Sequence, residues 1–383
     1  MSDRKFKQVG TRPIRHDGLE KVTGRANFGA DYSLPGMLQG AVLRSPHAHA
    51  TIVSIDASPA FEVDGVKAVI TGRDFPVPTR DGDRPLYNDV PDLSNSILAR
   101  DKVLYHGHPV AAVAATTIEA ARRGAEKIRV EYEVHAPVLD LESAMAPDAP
   151  ILHDDLVCQG PAPLPSSPTN VARRTLLSGG DVEQGFADSD LVVEREFTTQ
   201  MVHQGYIEPH AVVADAHENG KVTIWCSTQG PFGVRTATSE VLGTPISKIK
   251  VIPSEIGGGF GGKISIYLEP LAALLSRRAG RPVKLVMSRE EVFRATGPTS
   301  AGRIRVKIGA RKDGSFVAAE VVMHFEAGAF PGSPVGAACM TALTAYRFDH
   351  FLVDGYDVVT TKPRVAAYRA PGAPIAAFGV EQA

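Results

Sequence analysis

The stretch Ile249–Lys263, IKVIPSEIGGGFGGK, limits what this chain can fold into more than any other part of it. Five of the six residues from Gly257 to Gly262 are glycine, and the sixth is Phe260. A segment with so few side chains must act through its backbone. Ahead of it, IKVIPS alternates apolar and polar residues as a strand does. Behind it, Leu268, Leu271, Ala272 and Leu275 recur at i, i+3, i+4 and i+7. That spacing predicts a helix starting near Pro270, because proline is tolerated only in the first turn. It should end at Gly280, after Arg277 and Arg278. In a strand–glycine loop–helix unit, amide N–H groups can approach an anionic or strongly hydrogen-bonding ligand closely. The helix N-terminus behind the loop adds partial positive charge.

Gly257, Gly262 and Lys263 fit most of the phosphate-binding pattern G-x-x-x-x-G-K-S/T. The pattern fails at Ile264, which has no hydroxyl for a magnesium ion. No apolar strand ending in Asp follows; VKLVMSREE runs into Ser288 and Arg289. A nucleoside triphosphatase needs both metal-holding groups. A P-loop-like nucleotide-binding protein is therefore a remote alternative. A merely flexible turn is the plain alternative, and Phe260, a side chain of buried type, argues against it.

The rest of the chain sets bounds. With 383 residues, 43% of them hydrophobic, it can bury a large core and form two or three domains. Its 41 basic and 43 acidic residues leave a net charge of −2, so no single-sign field points to nucleic acid or a membrane surface. No apolar run approaches the roughly 20 residues of a membrane span. MSDRKFKQVG is not followed by an apolar segment, so no secretory signal is read. Cys158, Cys226 and Cys339 lie far apart without a C-x-x-C, which excludes familiar iron–sulfur and zinc spacings. A reducing cytoplasm is the expected compartment.

The uncharged, Pro- and Ser-rich QGPAPLPSSPTN, residues 159–170, marks an interdomain linker within 141–170. Before it, MLQGAVLRS and KAVITG read as strands, and TIEAARRGAEKIRVEYE as a helix from Thr117 passing into a strand near Ile128. PVPTRDGDRPLYND reads as a loop. After the linker, seven further segments from DLVVEREFTT to SFVAAEVVMHFEAG read as strands, with helices between them. The class is α+β rather than a regular strand–helix alternation.

Histidines invite metal readings. His47 and His49, or His106 and His108, would share a face on a strand, yet no third ligand can be identified. His203 and His210 flank Glu208 in MVHQGYIEPHA, which is not H-E-x-x-H, and Pro209 opposes a helix there. Glu208 is a candidate general base or a structural hydrogen-bonding carboxylate. Gln204 and Gln229 could point amides at a ligand or satisfy buried backbone. No G-x-S-x-G elbow is present, so nucleophilic catalysis has no support. In VAAYRAPGAPIAAFGVEQA, Arg369 stands among apolar residues beside a Pro-Gly turn, a setting in which arginine wants an anionic or carbonyl partner. The chain stops at Ala383 inside what reads as a helix, so an apolar face IAAFGV is expected to need a cover.

Four segments together resemble the molybdopterin-binding subunit of the xanthine dehydrogenase and aldehyde oxidase family: GGGFGGK, AAYRAPGAP, YIEPHAVVA and the N-terminal DGLEKVTGRANFGADYSLPGMLQGAVLRSPHAHA. The resemblance spans essentially the whole chain. It implies an a/b hammerhead domain over 1–140, the linker over 141–170, and the first half of the molybdenum-cofactor-binding domain over 171–383. It implies a molybdenum–molybdopterin cofactor, in its cytosine dinucleotide form, with the metal held by the pterin rather than by protein ligands. Gln204, Gln229, Gly230, Gly259, Phe260, Gly261, Arg369 and Ala370 are the implied cofactor contacts, and Ile264, Ala370 and Pro371 the implied substrate pocket. The implied activity is hydroxylation of a substrate carbon with water, electrons leaving through 2Fe–2S clusters to FAD on partner subunits.

Three departures from the family pattern narrow the reading. The catalytic Glu of a Gly-x-Gly-Glu segment is absent, so no catalytic residue is assigned to this chain and the base is expected on a second molybdopterin subunit. Ala370 replaces the cysteine of copper-containing carbon monoxide dehydrogenases. Ile264 replaces the glutamate with which purine-oxidising relatives grip substrate. The expectation is one half of a split molybdenum hydroxylase, laid out like the split nicotinate dehydrogenases. It would act on an N-heteroaromatic or aldehyde small molecule with iron–sulfur and FAD subunits, and be inactive alone. A non-catalytic scaffold of such a complex is the alternative.

Overall fold

The computed structural model describes residues 6–77 and 89–383. Most of the loop expected at 76–89 lies outside the described residues. The first part of the chain supplies β1 (Leu38–Arg44), β2 (Ala50–Asp56), β3 (Val66–Thr71), β4 (Lys102–Val103), β5 (Pro109–Ala115) and β6 (Arg129–Val134). The rest supplies β7 (Val171–Gly179), β8 (Leu191–Thr199), β9 (Ala211–Ala216), β10 (Val222–Cys226), β11 (Ile249–Pro253), β12 (Val283–Val286), β13 (Gly302–Ala310), β14 (Phe316–Gly328) and β15 (His350–Val359).

Three sheets result. A seven-stranded sheet runs β11-β10-β9-β12-β1-β5-β3, a five-stranded sheet β7-β15-β14-β13-β8, and a small one β4-β2-β6. The largest sheet crosses the expected domain boundary. β1 pairs in parallel with β12, Leu38 opposite Val283 and Gln39 opposite Lys284. Strands from both sides of the 141–170 segment therefore share one hydrogen-bonded layer. That segment is itself packed: Ala144, Leu152 and Leu156 join Ala172, Ala327 and Val358 in one apolar cluster.

Helix Glu269–Ala279 follows the glycine loop as its periodicity predicts, with Pro270 in the first turn and Gly280 closing it at φ 61°. Leu271, Ala272 and Leu275 are fully buried and press against the seven-stranded sheet. β5 is buried along its whole length. Its alanine-rich PVAAVAA fits between helix Ile118–Lys127 and helix Glu269–Ala279, which both contact it. A strand covered on both faces reads as an unbroken apolar run rather than an alternating one. Helix Ile118–Lys127 follows Thr117, whose side chain caps it by accepting the Ala120 N–H.

The C-terminal helix differs from expectation. It spans Ala373–Val380 and closes before Ala383, so the chain does not stop inside it. Ile375, Ala376 and Val380 are buried against Ile304 and Val306 of β13. The face expected to be bare is thus largely covered by the chain's own five-stranded sheet, leaving Phe378 46% exposed. The histidine pairs also differ. His47 and His49 lie in the turn before β2, and His106 and His108 in the turn before β5, so neither pair shares a strand face. His49 bonds the Ala136 carbonyl, and His108 bonds the Asn95 carbonyl and the Leu104 N–H.

Candidate functional site

The glycine loop leaves β11 at the end of the large sheet and is fixed from two sides. On one side Gln229 Oε1 accepts the Gly261 N–H at 2.9 Å and the Lys263 N–H at 3.3 Å. On the other, the Glu208 carboxylate accepts the Gly257 N–H at 2.8 Å and the Lys263 ammonium at 2.6 Å. Lys263 has a fully buried side chain, and its ammonium lies 5.0 Å from the centre of the Tyr206 ring. Burial lowers the pKa of Lys263, and the Glu208 carboxylate opposes that shift. A buried, paired ammonium cannot reach a phosphate, so the P-loop-like alternative fails at the lysine as well as at Ile264.

Backbone strain converges here. Among the described residues the non-glycine positions with positive φ are Phe260, at 51°, and Ala370, at 58°. Each such residue costs roughly 1–3 kcal/mol, and they cluster at functional sites. The two segments that carry them touch. A Cβ at Gly261 would lie 2.5 Å from the Ala367 carbonyl oxygen, so only glycine allows the loop this close to the Ala366–Pro371 turn. Gln204 joins the same junction, its Nε2 donating to the carbonyls of Gly297 and Ala367, each at 3.0 Å.

The arrangement leaves hydrogen-bonding capacity unused. Gln204 is 6% exposed, yet its Oε1 is buried without a partner. Among the hydrogen bonds of the described residues, none engages the N–H groups of Gly258, Gly259 and Phe260, the Gln229 Nε2 or the Arg369 guanidinium. Buried polar groups normally find partners, and Gln204 Oε1 lacks one; Phe260, Gln229 and Arg369 are exposed, so their donors are open to solvent or to a ligand. Among the described residues no group of three or more His, Cys, Asp or Glu side chains could hold a metal ion.

A cleft of about 450 Å³ opens beside the loop. Ile264 and Pro371, both expected in the substrate pocket, line it together with Gly233, Ser265, Ala367 and Arg364. Ile264 is 50% exposed. Ala370 does not line this cleft and is exposed. Gly230 caps helix Pro231–Leu242, and its N–H is taken by Thr228 Oγ1 at 3.0 Å. Phe260, read as a buried-type side chain, is 49% exposed. Its backbone is fixed while its ring faces outward. The expectations leave out Arg364 and Ser265 because they sit outside the motifs, and no local pattern marks them. The Glu208–Lys263 pair joins residues 55 apart and has no local signature either.

A family model for the molybdopterin cofactor-binding domain matches residues 164–383. One for the aldehyde oxidase and xanthine dehydrogenase a/b hammerhead domain matches residues 23–136. The chain belongs to the aldehyde oxidase and xanthine dehydrogenase family of molybdopterin-binding proteins. It is 34% identical over 374 residues to the nicotinate dehydrogenase large molybdopterin subunit of Eubacterium barkeri, covering 96% of this chain and 83% of that one. It is 34% identical to a probable xanthine dehydrogenase subunit of Bacillus subtilis, covering 96% of this chain and 47% of the relative. Among solved structures, the reconstituted CO dehydrogenase of Oligotropha carboxidovorans superposes with a TM-score of 0.86 at 29% identity, over 97% of this chain and 47% of that one. Quinoline 2-oxidoreductase of Pseudomonas putida 86 superposes with a TM-score of 0.83 at 30% identity, over 98% and 49%. The chain thus spans most of the nicotinate dehydrogenase subunit and about half of the other three.

Proposed function

We propose that this chain is the molybdopterin-binding part of a multi-subunit molybdenum hydroxylase that oxidises an N-heteroaromatic or aldehyde carbon. The observation that carries the reading is the meeting of Gly261 with Ala367, which brings the strained Phe260 and Ala370 segments together. The cofactor would be the pterin–molybdenum group, in its cytosine dinucleotide form. When bound, it supplies two-electron oxidation of the substrate with oxygen from water. The chain's own residues do the holding. The free N–H groups of Gly258, Gly259 and Phe260 and the free amide of Gln229 face ligand atoms as donors, and the buried Gln204 Oε1 accepts. Arg369, two residues beyond Ala367 on the turn that meets Gly261, would supply positive charge. Ile264 and Pro371 give the adjoining cleft apolar walls, which suit a flat, weakly polar substrate and leave nothing on Ile264 to grip a purine.

No carboxylate of this loop is assigned as a base, because Glu208 is already occupied by three donors. The base belongs to a second molybdopterin subunit carrying a Gly-x-Gly-Glu segment, and an iron–sulfur subunit and an FAD subunit take the electrons. Three buried free cysteines suit a reducing cytoplasm. The test is co-expression with the neighbouring reading frames, followed by metal analysis and assay. The expected result is a complex with one molybdenum to about four iron atoms, as two 2Fe–2S clusters require, that oxidises heterocycles or aldehydes and leaves CO untouched. A purified complex without molybdenum, or robust CO oxidation, overturns the proposal.

A further inference from the structure

Glu208 stands apart from the rest of the glycine-loop surroundings because one carboxylate holds three residues of two separate segments. Its Oε2 accepts the N–H of Gly257, the first loop glycine, and the ammonium of Lys263, the residue that ends the loop. One oxygen atom therefore takes the backbone of the loop's first residue and the side-chain ammonium of its last, whose own carbonyl is held by the Gln229 N–H at 2.9 Å and Thr228 Oγ1 at 3.1 Å. Its Oε1 accepts the N–H of Gly29 at 3.1 Å. Gly29 belongs to an N-terminal strap whose Asn27 carbonyl accepts the Glu255 N–H at 3.0 Å and whose Lys21 pairs with Glu255 at 2.7 Å. The Glu208 backbone closes the arrangement, its N–H donating to the Gly257 carbonyl at 3.1 Å. A Cβ on Gly257 would come within 2.6 Å of the Glu208 Cβ, so loop and carboxylate stem are in direct contact.

This geometry sets the span of the loop. With its near end tied to Glu208 and its far end to the 228–229 segment, the loop bows between two anchors, and among the hydrogen bonds of the described residues none takes the N–H groups of Gly258, Gly259 and Phe260. Phe260 is held at φ 51° in the same bow. A strained conformation persists only where its surroundings over-determine it. Gln229 clamps only the far limb, at Gly261 and Lys263. The near limb at Gly257 depends on Glu208.

We propose that Glu208 is a positioning residue for the cofactor-facing loop: its carboxylate ties Gly257, Lys263 and the Gly29 strap to one point and thereby holds the Gly258–Phe260 N–H groups in place. The inference rests on the proposed function for what those N–H groups face. The bond pattern itself stands without it. A carboxylate that serves only as counter-ion to Lys263 would become dispensable once the lysine is neutralised. A positioning carboxylate would not, because the Gly257 and Gly29 N–H groups still need it.

The test compares wild type, Glu208→Leu, Glu208→Gln and the double variant Glu208→Leu with Lys263→Met, each in the full chain with whatever subunits co-purify. Amide hydrogen exchange is followed in peptides covering 249–268, with peptides from β13 and β14 as the internal control. Loss of the carboxylate should raise loop exchange on the order of tenfold to a hundredfold, as expected when strong charge-assisted hydrogen bonds to the carboxylate are lost, with control peptides unchanged. The double variant should stay fast. Glu208→Gln, which keeps one acceptor oxygen, should fall between wild type and Glu208→Leu. Molybdenum content should drop in the same order as loop protection. Wild-type exchange in Glu208→Leu, or full recovery in the double variant, overturns the proposal. If Glu208→Leu also exposes the control peptides, Glu208→Gln decides, and it must loosen the loop alone. Absence of molybdenum from the wild-type complex would sink the functional reading and leave the exchange comparison intact.

Discussion

Replacing Gly261 by alanine adds a single carbon atom at the junction that carries the functional reading. Two costs follow from the structure. Gly261 has φ 105°, a conformation that an L side chain rarely adopts, with a strain of about 1–3 kcal/mol. The new Cβ would also sit 2.5 Å from the Ala367 oxygen and 2.8 Å from its carbonyl carbon. Those atoms are backbone, fixed by the Gln204 bond at Ala367 O, so they cannot swing aside as a side-chain tip would. Overpacking of this kind costs a further 1–3 kcal/mol or so. The combined effect, about 2–6 kcal/mol, should fall on the loop first, because pulling Gly261 away from Ala367 relieves the contact. Gly314→Ala is the matching control: φ is 86° there, but nothing lies within 4 Å of the new Cβ. The assay is molybdenum per chain in the co-purified complex, together with loop-peptide hydrogen exchange. Gly261→Ala should lose most of its molybdenum and exchange rapidly over 249–268, while Gly314→Ala should keep both near wild type and shift the thermal midpoint by only a few degrees. If Gly261→Ala holds wild-type molybdenum and wild-type exchange, the loop does not contact the cofactor through this junction, and the argument fails.

Lys263→Met removes one partner of a buried ion pair and should destabilise the protein by about 3–5 kcal/mol, read as a lower denaturant midpoint; an unchanged midpoint would mean the ammonium is solvated in solution. Burial, the largest cause in each case, holds His108 down to about 4 and His210 down to about 3, from 6.5. Unfolded histidine binds a proton near 6.5 and these two do not, so their contribution is intact above pH 6.5 and lost as pH falls towards those values, by up to about 1.4 kcal/mol per pH unit for each. His210→Gln should flatten the fall in denaturant midpoint between pH 7 and pH 4.5, and an unaltered slope would remove His210 from the account. Ile264→Glu changes a half-exposed cleft residue, so the thermal midpoint should move little, within about 0.5 kcal/mol. The same variant should raise purine oxidation by the complex relative to that of aldehydes, and an unshifted preference would show that Ile264 does not face substrate.

Alternation made several strands legible: β1, β3, β6 and the run from β8 to β14 each stand where apolar and polar residues trade places or cluster between turn signals. Two-residue β4 is too short to show a pattern, and β2, β5, β7 and β15 carry no such signal for physical reasons. β5 is buried on both faces and reads as a run of alanine and valine. β15 places Asp354 and Asp357 inside the protein, where Arg174 pairs with Asp354 at 2.7 Å and Asp357 accepts the N–H groups of Gly332 and Ser333. Those acids break the apolar pattern, and their partners are supplied by other segments. β7 carries Arg174 in turn, and β2 has a register shift between Ile52 and Ser54. At the site, the glycine loop and the Arg369 turn were legible because their composition allows little else. The direction of Lys263 was not. A lysine after a glycine loop suggests an outward charge, and only the carboxylate of Glu208, 55 residues earlier in the chain, turns it inward.

The parallel pairing of β1 with β12 makes the two family segments mechanically inseparable. Residues 23–136 and 164–383 match distinct family models, yet splitting them into separate polypeptides would tear a sheet down its middle and leave a raw edge on each piece, a template for aggregation. A single nick in the exposed 159–168 stretch should instead yield two fragments that migrate together until denatured. Chimeras with relatives face the same restriction. Gly40 faces Leu285 so closely that an added Cβ would lie 2.4 Å from its Cδ2. A donor segment bearing a larger residue at that position would have to displace the Leu285 side chain of β12.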